Sequence, residues 1–191
     1  DEYLISDLER QGACIDSYGV GDAIATSKAA PCFGGVYKLV QIGDMPVLKR
    51  SEDKIKLINP GFQITYRIRK NSGNEADVTC LRGDRLEEAI RKGSTITIMD
   101  EFDSDKHKTF FAGGYEAFPL QEEVMRNGED VHVVRSLAEK KQYYAHSLQA
   151  FDASERRLIN PHYYKVDISD DLYDTKKSII DRLNREIADF K

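Results

Sequence analysis

The chain has 191 residues, a length that suits one domain or two small ones. Its 28 basic and 33 acidic residues leave a formal net charge of −5, which argues against non-specific nucleic-acid binding, because that needs a basic footprint. With 40% hydrophobic and 32% charged residues the chain is too apolar for disorder, and no apolar run approaches the ~20 residues of a membrane span.

Asp1 to Gly12 reads as a helix already under way. Leu4, Ile5 and Leu8 recur at helical spacing, acidic residues occupy the first turn, and Gly12 stands where a C′ glycine belongs. The segment has no Met, no basic n-region and no apolar h-region, so it is not a signal peptide. A start inside a helix leads to the expectation that this is the C-terminal part of a longer chain. Ala13–Ser17 reads as a short strand, Tyr18-Gly19-Val20-Gly21-Asp22 as a glycine loop, and Ala23–Ser27 as the start of a helix with Asp22 as its N-cap. Helix, strand, loop, helix is the grammar of a parallel sheet or barrel.

From Pro31 to about Leu120 the pattern changes to strands broken by turns. Gly35–Ile42 is rich in β formers, and Met45–Lys49 follows the Gly43-Asp44 turn as its hairpin partner. Phe62–Arg69 alternates cleanly, with Phe62, Ile64, Tyr66 and Ile68 on one face. Asn71-Ser72-Gly73-Asn74 is a turn. Ala76–Leu81, Ser94–Met99 and Lys108–Ala112 are further strands, Leu86–Arg91 is a short helix, and Gly113-Gly114 makes a turn after a strand. The end is helical. Ser136 to about Phe151 carries Leu137, Tyr144, Leu148 and Phe151 at helical spacing, and Tyr143, Tyr144, Tyr163 and Tyr164 read as packing aromatics. Asn160–Ile168 is a turn into a short strand. Ser169–Phe190 is the clearest helix, capped by Ser169 or Asp170, with Leu172, Ile179, Ile180, Leu183, Ile187 and Phe190 in one stripe. The three cysteines, Cys14, Cys32 and Cys80, are scattered without a CxxC pair, which suits a reducing cytoplasm and offers no zinc spacing.

The glycine loop is the first candidate for chemistry. Gly19 and Gly21 let the backbone turn tightly, so that the amides of Val20, Gly21 and Asp22 can face an anion at the start of the next helix. An ordinary strand-to-helix turn has the same glycines. The third glycine and the distant acid of a dinucleotide fingerprint are absent. The second candidate is the basic stretch Lys49-Arg50-Ser51 with Lys54 and Lys56, whose plain alternative is a solvated basic hairpin. Alternation would put Lys49 and Ser51 on one face.

Context sharpens both. Gln11-Gly12-Ala13-x-Ile15-Asp16-x-Tyr18-Gly19-Val20-Gly21 with Thr26-Ser27 is followed, in order, by Gly34–Val40, Pro46–Lys54, Asn59-Pro60-Gly61 and Asn160–Val166 leading to Ser169. This succession resembles the C-terminal part of the nicotinate phosphoribosyltransferases, over nearly the whole chain. The resemblance implies an α/β fold: the end of an incomplete β/α barrel of type II phosphoribosyltransferase kind, then a β-rich and a helical C-terminal region. Residues 1–30 would be the last barrel elements, 31–128 the β-rich subdomain and 129–191 a helical tail packing on the barrel. It implies transfer of phosphoribosyl from phosphoribosyl pyrophosphate to nicotinate, giving nicotinate mononucleotide in NAD salvage, with ATP, Mg2+ and a phosphohistidine. The partners it implies are both substrates, the rest of the same polypeptide and a second copy in a homodimer, with neither nucleic acid nor membrane, in the cytoplasm.

In that family the loop after the last barrel strand holds the 5′-phosphate, which assigns phosphate binding to Gly19, Val20, Gly21 and Asp22. Many members have Thr where this chain has Asp22. A carboxylate there repels phosphate, so its side chain is expected to cap the helix and only its amide to face the ligand. Related enzymes use a Lys-x-Ser stretch for pyrophosphate, which assigns Lys49 and Ser51. The phosphorylated histidine lies upstream in the family, and none of His107, His132, His146 and His162 matches its motif, so no catalytic residue is assigned. His162 reads as a capped turn histidine and Asp16 as a structural carboxylate. Two alternatives remain. One is another pyridine phosphoribosyltransferase, for nicotinamide or quinolinate, although the quinolinate enzymes place their glycine loop close to the C-terminus. The other is a non-enzymatic β-rich binding module, which leaves the first αβα segment unexplained.

Overall fold

The structure is a computed structural model that describes residues 1–28, 30–32, 34–51 and 56–189. The chain divides into two compact units, Asp1–Tyr37 and Lys38–Lys191.

In the first unit, α1 spans Glu2–Arg10. The Asp1 carboxylate caps it by accepting from the Leu4 amide at 2.9 Å. It ends as its sequence demands. Gly12 takes φ +75°, its amide donates to Glu9 O at 2.9 Å, and the Ala13 amide donates to Leu8 O at 3.1 Å. Those two bonds make a Schellman stop, which needs a residue tolerant of left-handed φ. The expected strand Ala13–Ser17 does not form. Its Ile15 amide instead bonds locally, to Ala13 O at 3.1 Å. A strand exists only through a ladder partner, and among the described residues none pairs with this segment. Helix α2 covers only Asp22–Ala25. Gly21, not Asp22, is its N-cap, so the expected capping by the Asp22 side chain is corrected: Asp22 is already helical. Ser27, at φ +49°, turns the chain out of the helix after one turn.

The second unit opens with a hairpin, β1 (Gln41–Ile42) and β2 (Met45–Pro46), around Gly43 at φ +56°. The strands expected over Gly35–Ile42 and Met45–Lys49 shrink to these two pairs, prolonged by one bond from the Val47 amide to Val40 O at 2.9 Å. Next come β3 (Gln63–Lys70), β4 (Gly73–Leu81), α3 (Arg85–Arg91), β5 (Ile96–Met99), β6 (His107–Phe110) and β7 (Glu116–Pro119). A small hairpin of β8 (Met125–Arg126) and β9 (Glu129–Asp130) precedes α4 (Leu137–Gln149), β10 (Val166–Ile168) and α5 (Asp170–Asp189).

One sheet, in the order β6-β5-β10-β4-β3-β7, organises this unit. Only β10 runs parallel to a neighbour, β4; its other neighbour, β5, is antiparallel. The sheet thus joins strands from residues 63–119 to one strand near the C-terminus. The β3–β4 turn has Asn71 at φ +48° and Ser72 at φ +67°, the paired left-handed geometry that matches strand twist. The expected alternation holds in β3, where Ile64, Tyr66 and Ile68 are buried. They form the core with Ala76, Val78 and Cys80 of β4, Ile96 and Ile98 of β5, and Leu86 and Ile90 of α3. Phe62 does not join them. It sits before the strand, exposed, under the Arg82 guanidinium at 5.2 Å.

Helix α5 packs on β4 and buries Leu172 and Ile179, the centre of the expected stripe; Phe190 lies outside the described residues. Helix α4 has the expected position, with a capping box of Ser136 and Glu139, but buries no residue. Tyr143, Tyr144 and Tyr163 are exposed, which corrects their reading as packing residues, and Tyr164 alone of the four is packed.

The helix starts meet at one carboxylate. Asp84 Oδ1 accepts from the Glu87 amide at 2.8 Å and caps α3. Its Oδ2 accepts from Leu81 N at 3.1 Å and from Ser169 Oγ at 2.7 Å. The same Ser169 Oγ accepts from Leu172 N at 3.2 Å and caps α5. Arg85 then forks onto Asp171, with Nε 2.9 Å from Oδ1, and holds that carboxyl below the usual carboxylate range. Losing an N-cap costs roughly 1–2 kcal/mol. Asp84→Ala removes one cap outright and frees the other's serine, so urea unfolding should show a loss of at least ~1.5 kcal/mol. An unchanged urea midpoint would show that the two helices are seated without this junction.

Candidate functional site

The glycine loop lies in the first unit. Tyr18 closes it onto α1, its phenol donating to Glu9 Oε1 at 2.6 Å. Neither Gly19 nor Gly21 has a left-handed φ, and a Cβ on either would meet nothing within 4 Å. The chain's own backbone therefore requires glycine at neither position. Among the described residues the amides of Val20, Gly21 and Asp22 donate to no protein acceptor. A stretch with open approach and three free donors can receive an oxyanion. The Asp22 carboxylate at its end remains the unfavourable feature.

The basic stretch lies in the second unit. Lys49 and Arg50 are exposed and Ser51 is half-buried. Strand β2 ends at Pro46, so strand alternation does not set the faces of Lys49 and Ser51. Lys54 lies outside the described residues. The base of the stretch is held firmly. Val40 O accepts from the Val47 amide at 2.9 Å and from the Gly61 amide at 2.7 Å.

That second bond gives Asn59-Pro60-Gly61 its purpose. Gly61 has φ +87°, a left-handed backbone that strains other residues, and a Cβ there would lie 2.5 Å from Leu81 Cδ2, which would have to shift. Pro60 is fully buried. Gln63 Nε2 donates to Asn59 O at 2.5 Å. In the Asn160–Val166 block, Tyr164 donates to Asp77 Oδ1 at 3.0 Å, beside the Arg67 fork onto Asp77 at 2.8 and 2.7 Å. Burial pushes the Tyr164 phenol up. Both blocks are structural.

The four histidines belong to other segments of the second unit. His107 is exposed on β6, His132 sits against Asp130, His146 is on the exposed α4, and the His162 amide donates to Ser154 O at 3.0 Å. Among the described residues no group of three His, Cys, Asp or Glu could hold a metal ion. No described helix is long and apolar enough to cross a membrane.

Among the described residues the buried Glu87 and Asp167 and the partly buried Lys176 also escape the motif reading. Burial opposes ionisation of Glu87. The Gly83 amide, Arg91 and the Tyr66 hydroxyl outweigh it and hold the carboxyl below its ordinary range. Lys176 reaches Glu101 Oε1 at 2.7 Å. Its signal in sequence was position, since residues 172, 176 and 179 share one helix stripe. Asp167 is the least well met. It is 1% exposed, and Lys165 Nζ stands 3.2 and 3.1 Å from its oxygens, yet Oδ2 accepts no well-directed hydrogen bond.

The six-stranded sheet with its two seated helices defines an α/β domain of a known kind. Residues 63–176 match the family described as the nicotinate phosphoribosyltransferase C-terminal domain, and the chain belongs to that family. Among curated relatives, nicotinate phosphoribosyltransferase of Bacillus subtilis is 27% identical over 99% of this chain and 39% of its own length. The protein of the same name from Bos taurus is 28% identical over 96% of this chain and 32% of its own length. The chain thus spans about a third of the length of the relatives it matches. The solved structure of human nicotinic acid phosphoribosyltransferase superposes with TM-score 0.61 at 24% identity, over 77% of this chain and 27% of that one. This likeness supports the expected fold class, the end of an incomplete β/α barrel followed by a β-rich and a helical region.

Within this family domain Asp167 has a measurable signature. Burial raises its carboxyl above the ordinary range, Lys165 pulls it back, and Asp100 adds to the rise. A raised folded value means that the favourable contribution exists at low pH and is lost as pH climbs through that value. Asp167→Asn should therefore raise the urea midpoint near neutral pH, with the gain fading below the ordinary carboxylate range. A variant less stable than the parent at neutral pH would show that the Lys165 pair outweighs burial.

Proposed function

We propose that this chain is the C-terminal portion of a nicotinate phosphoribosyltransferase, making nicotinate mononucleotide from nicotinate and phosphoribosyl pyrophosphate, coupled to ATP hydrolysis, in NAD salvage. One observation carries the reading: the family match over residues 63–176 lies inside an alignment covering 99% of the chain. The rest of the catalytic apparatus, including the phosphorylated histidine and the groups that hold ATP and Mg2+, belongs to the remainder of the polypeptide. Division at residues 30 and 128, and a homodimer in the cytoplasm, belong to the same proposal.

The chain's own contribution is anion binding. The amides of Val20, Gly21 and Asp22, reached past Gly19 and Gly21, receive the 5′-phosphate. Backbone donors suit this task because they bind phosphate without a cationic side chain. Lys49 and Ser51 contact the pyrophosphate, where a compact ammonium and a hydroxyl meet a polyanion. In the complete enzyme Gly21→Val should weaken phosphoribosyl pyrophosphate binding by at least ~100-fold, about 2.7 kcal/mol. The circular dichroism spectrum should stay unchanged, because a Cβ there touches nothing in the chain. Wild-type affinity in the folded variant would reduce the loop to a plain turn. Lys49→Ala should raise KM for phosphoribosyl pyrophosphate by roughly 10–100-fold, from the loss of one charge-assisted contact. KM for nicotinate should move far less. Equal KM values for parent and variant would return the stretch to a solvated surface.

A further inference from the structure

Lys176 occupies a place where a lysine is costly. It lies on the stripe of α5 between Leu172 and Ile179, and its side chain is 12% exposed. Its ammonium has three donors and three acceptors: Glu101 Oε1 at 2.7 Å, Asn59 Oδ1 at 3.0 Å and Leu57 O at 3.3 Å. Two of the three belong to the segment that returns from the basic stretch. An ion pair with Glu101 alone could form at the surface, with no ammonium withdrawn from water.

The contacts continue from there. Asn59 leads through the buried Pro60 to Gly61, whose amide donates to Val40 O. The same carbonyl takes the Val47 amide, two residues before Lys49. Val40 O therefore gathers both sides of the stretch, and Lys176 holds the returning side against α5.

We propose that Lys176 is a positioning residue for the pyrophosphate-binding stretch Lys49–Ser51. The proposal rests on the assignment of Lys49 and Ser51 to pyrophosphate. Lys176 fixes 57–61, the Gly61–Val40–Val47 bonds fix the base of the stretch, and Lys49 meets a polyanion from an already ordered backbone. Pre-ordering removes part of the entropy that binding otherwise costs. Its effect therefore falls on binding of phosphoribosyl pyrophosphate, not on turnover or on nicotinate.

The test uses the complete enzyme, with KM for both substrates and kcat measured for each variant, and hydrogen exchange at the Val47 and Gly61 amides. Lys176→Met should raise KM for phosphoribosyl pyrophosphate about 3–10-fold, with kcat and the nicotinate KM within about twofold. Both amides should exchange faster. Asn59→Ala, which keeps Lys176, should act in the same direction and serves if Lys176→Met does not fold. Glu101→Gln, which leaves both loop-side acceptors, should keep the parent KM. In the Lys49→Ala background Lys176→Met should add less than it does alone, because its effect runs through Lys49. If Lys49→Ala raises KM but Lys176→Met and Asn59→Ala leave it unchanged, the positioning role is overturned. If Lys49→Ala itself is silent, the pyrophosphate reading falls and this proposal with it, and amide exchange then reports whether the Lys176 clamp persists as plain structure.

Discussion

One carboxylate, that of Asp84, sets the geometry on which the second unit depends. Its two oxygens serve the start of α3, the end of β4 and, through Ser169, the start of α5. An N-cap normally satisfies the orphan amides of its own helix. Here two caps share a bond across 85 residues of sequence, so two helices are fixed to each other and to the sheet at once. Strand β10 runs straight into Ser169, and its parallel seat beside β4 brings that serine to Asp84. From this fixed start α5 runs over β4 and delivers Lys176 to the returning side of the basic stretch. The sheet, the Asp84 junction and the segment 57–61 thus form one mechanical sequence.

The buried charges show how the domain handles polar groups it cannot expose. Glu87 gains an amide, a guanidinium and a phenol, so burial is outweighed. Asp77 gains the planar Arg67 fork and the Tyr164 hydroxyl, with the Phe151 ring 5.2 Å from the guanidinium. Asp167 has one ammonium only. A half-satisfied carboxylate in a packed sheet is a local cost, and it sits beside β4 in the middle of the domain.

Sequence periodicity made the central elements legible. The alternation of Ile64, Tyr66 and Ile68, the Leu86–Arg91 helix, the Gly12 stop and the Ser169 cap all carry local chemistry and appear where that chemistry puts them, whereas Phe62, read onto the same face, lies exposed before the strand. Expectation failed where structure needs a distant partner. Ala13–Ser17 has strand composition but no ladder neighbour among the described residues. Gly35–Ile42 forms pairs only at Gln41 and Ile42, where the Gly43 turn brings β2 back. Helix α4 has the right cap and spacing, yet spacing alone does not say what a face packs against, and its tyrosines are exposed. The β8–β9 hairpin was readable and missed: Asn127-Gly128, at φ +51° and +85°, is the strongest short hairpin signal in the chain. The candidate site divides the same way. Glycine spacing and the basic run mark Gly19–Asp22 and Lys49–Ser51, but Lys176 lies more than 100 residues further along, and only topology joins it to Asn59.

The scaffold supplies a reason for two of the family-like blocks. Asn59-Pro60-Gly61 is a clamp, and Asn160–Val166 leads the chain through Tyr164 into β10, so both serve the fold before any ligand. The most direct measurement is product formation by the complete polypeptide, supplied with phosphoribosyl pyrophosphate, ATP and Mg2+ and offered nicotinate, nicotinamide or quinolinate in separate reactions. Nicotinate mononucleotide should form from nicotinate, with little or no product from the other two. Turnover of nicotinamide or quinolinate with nicotinate left untouched would contradict the assignment of this chain to a nicotinate-specific enzyme.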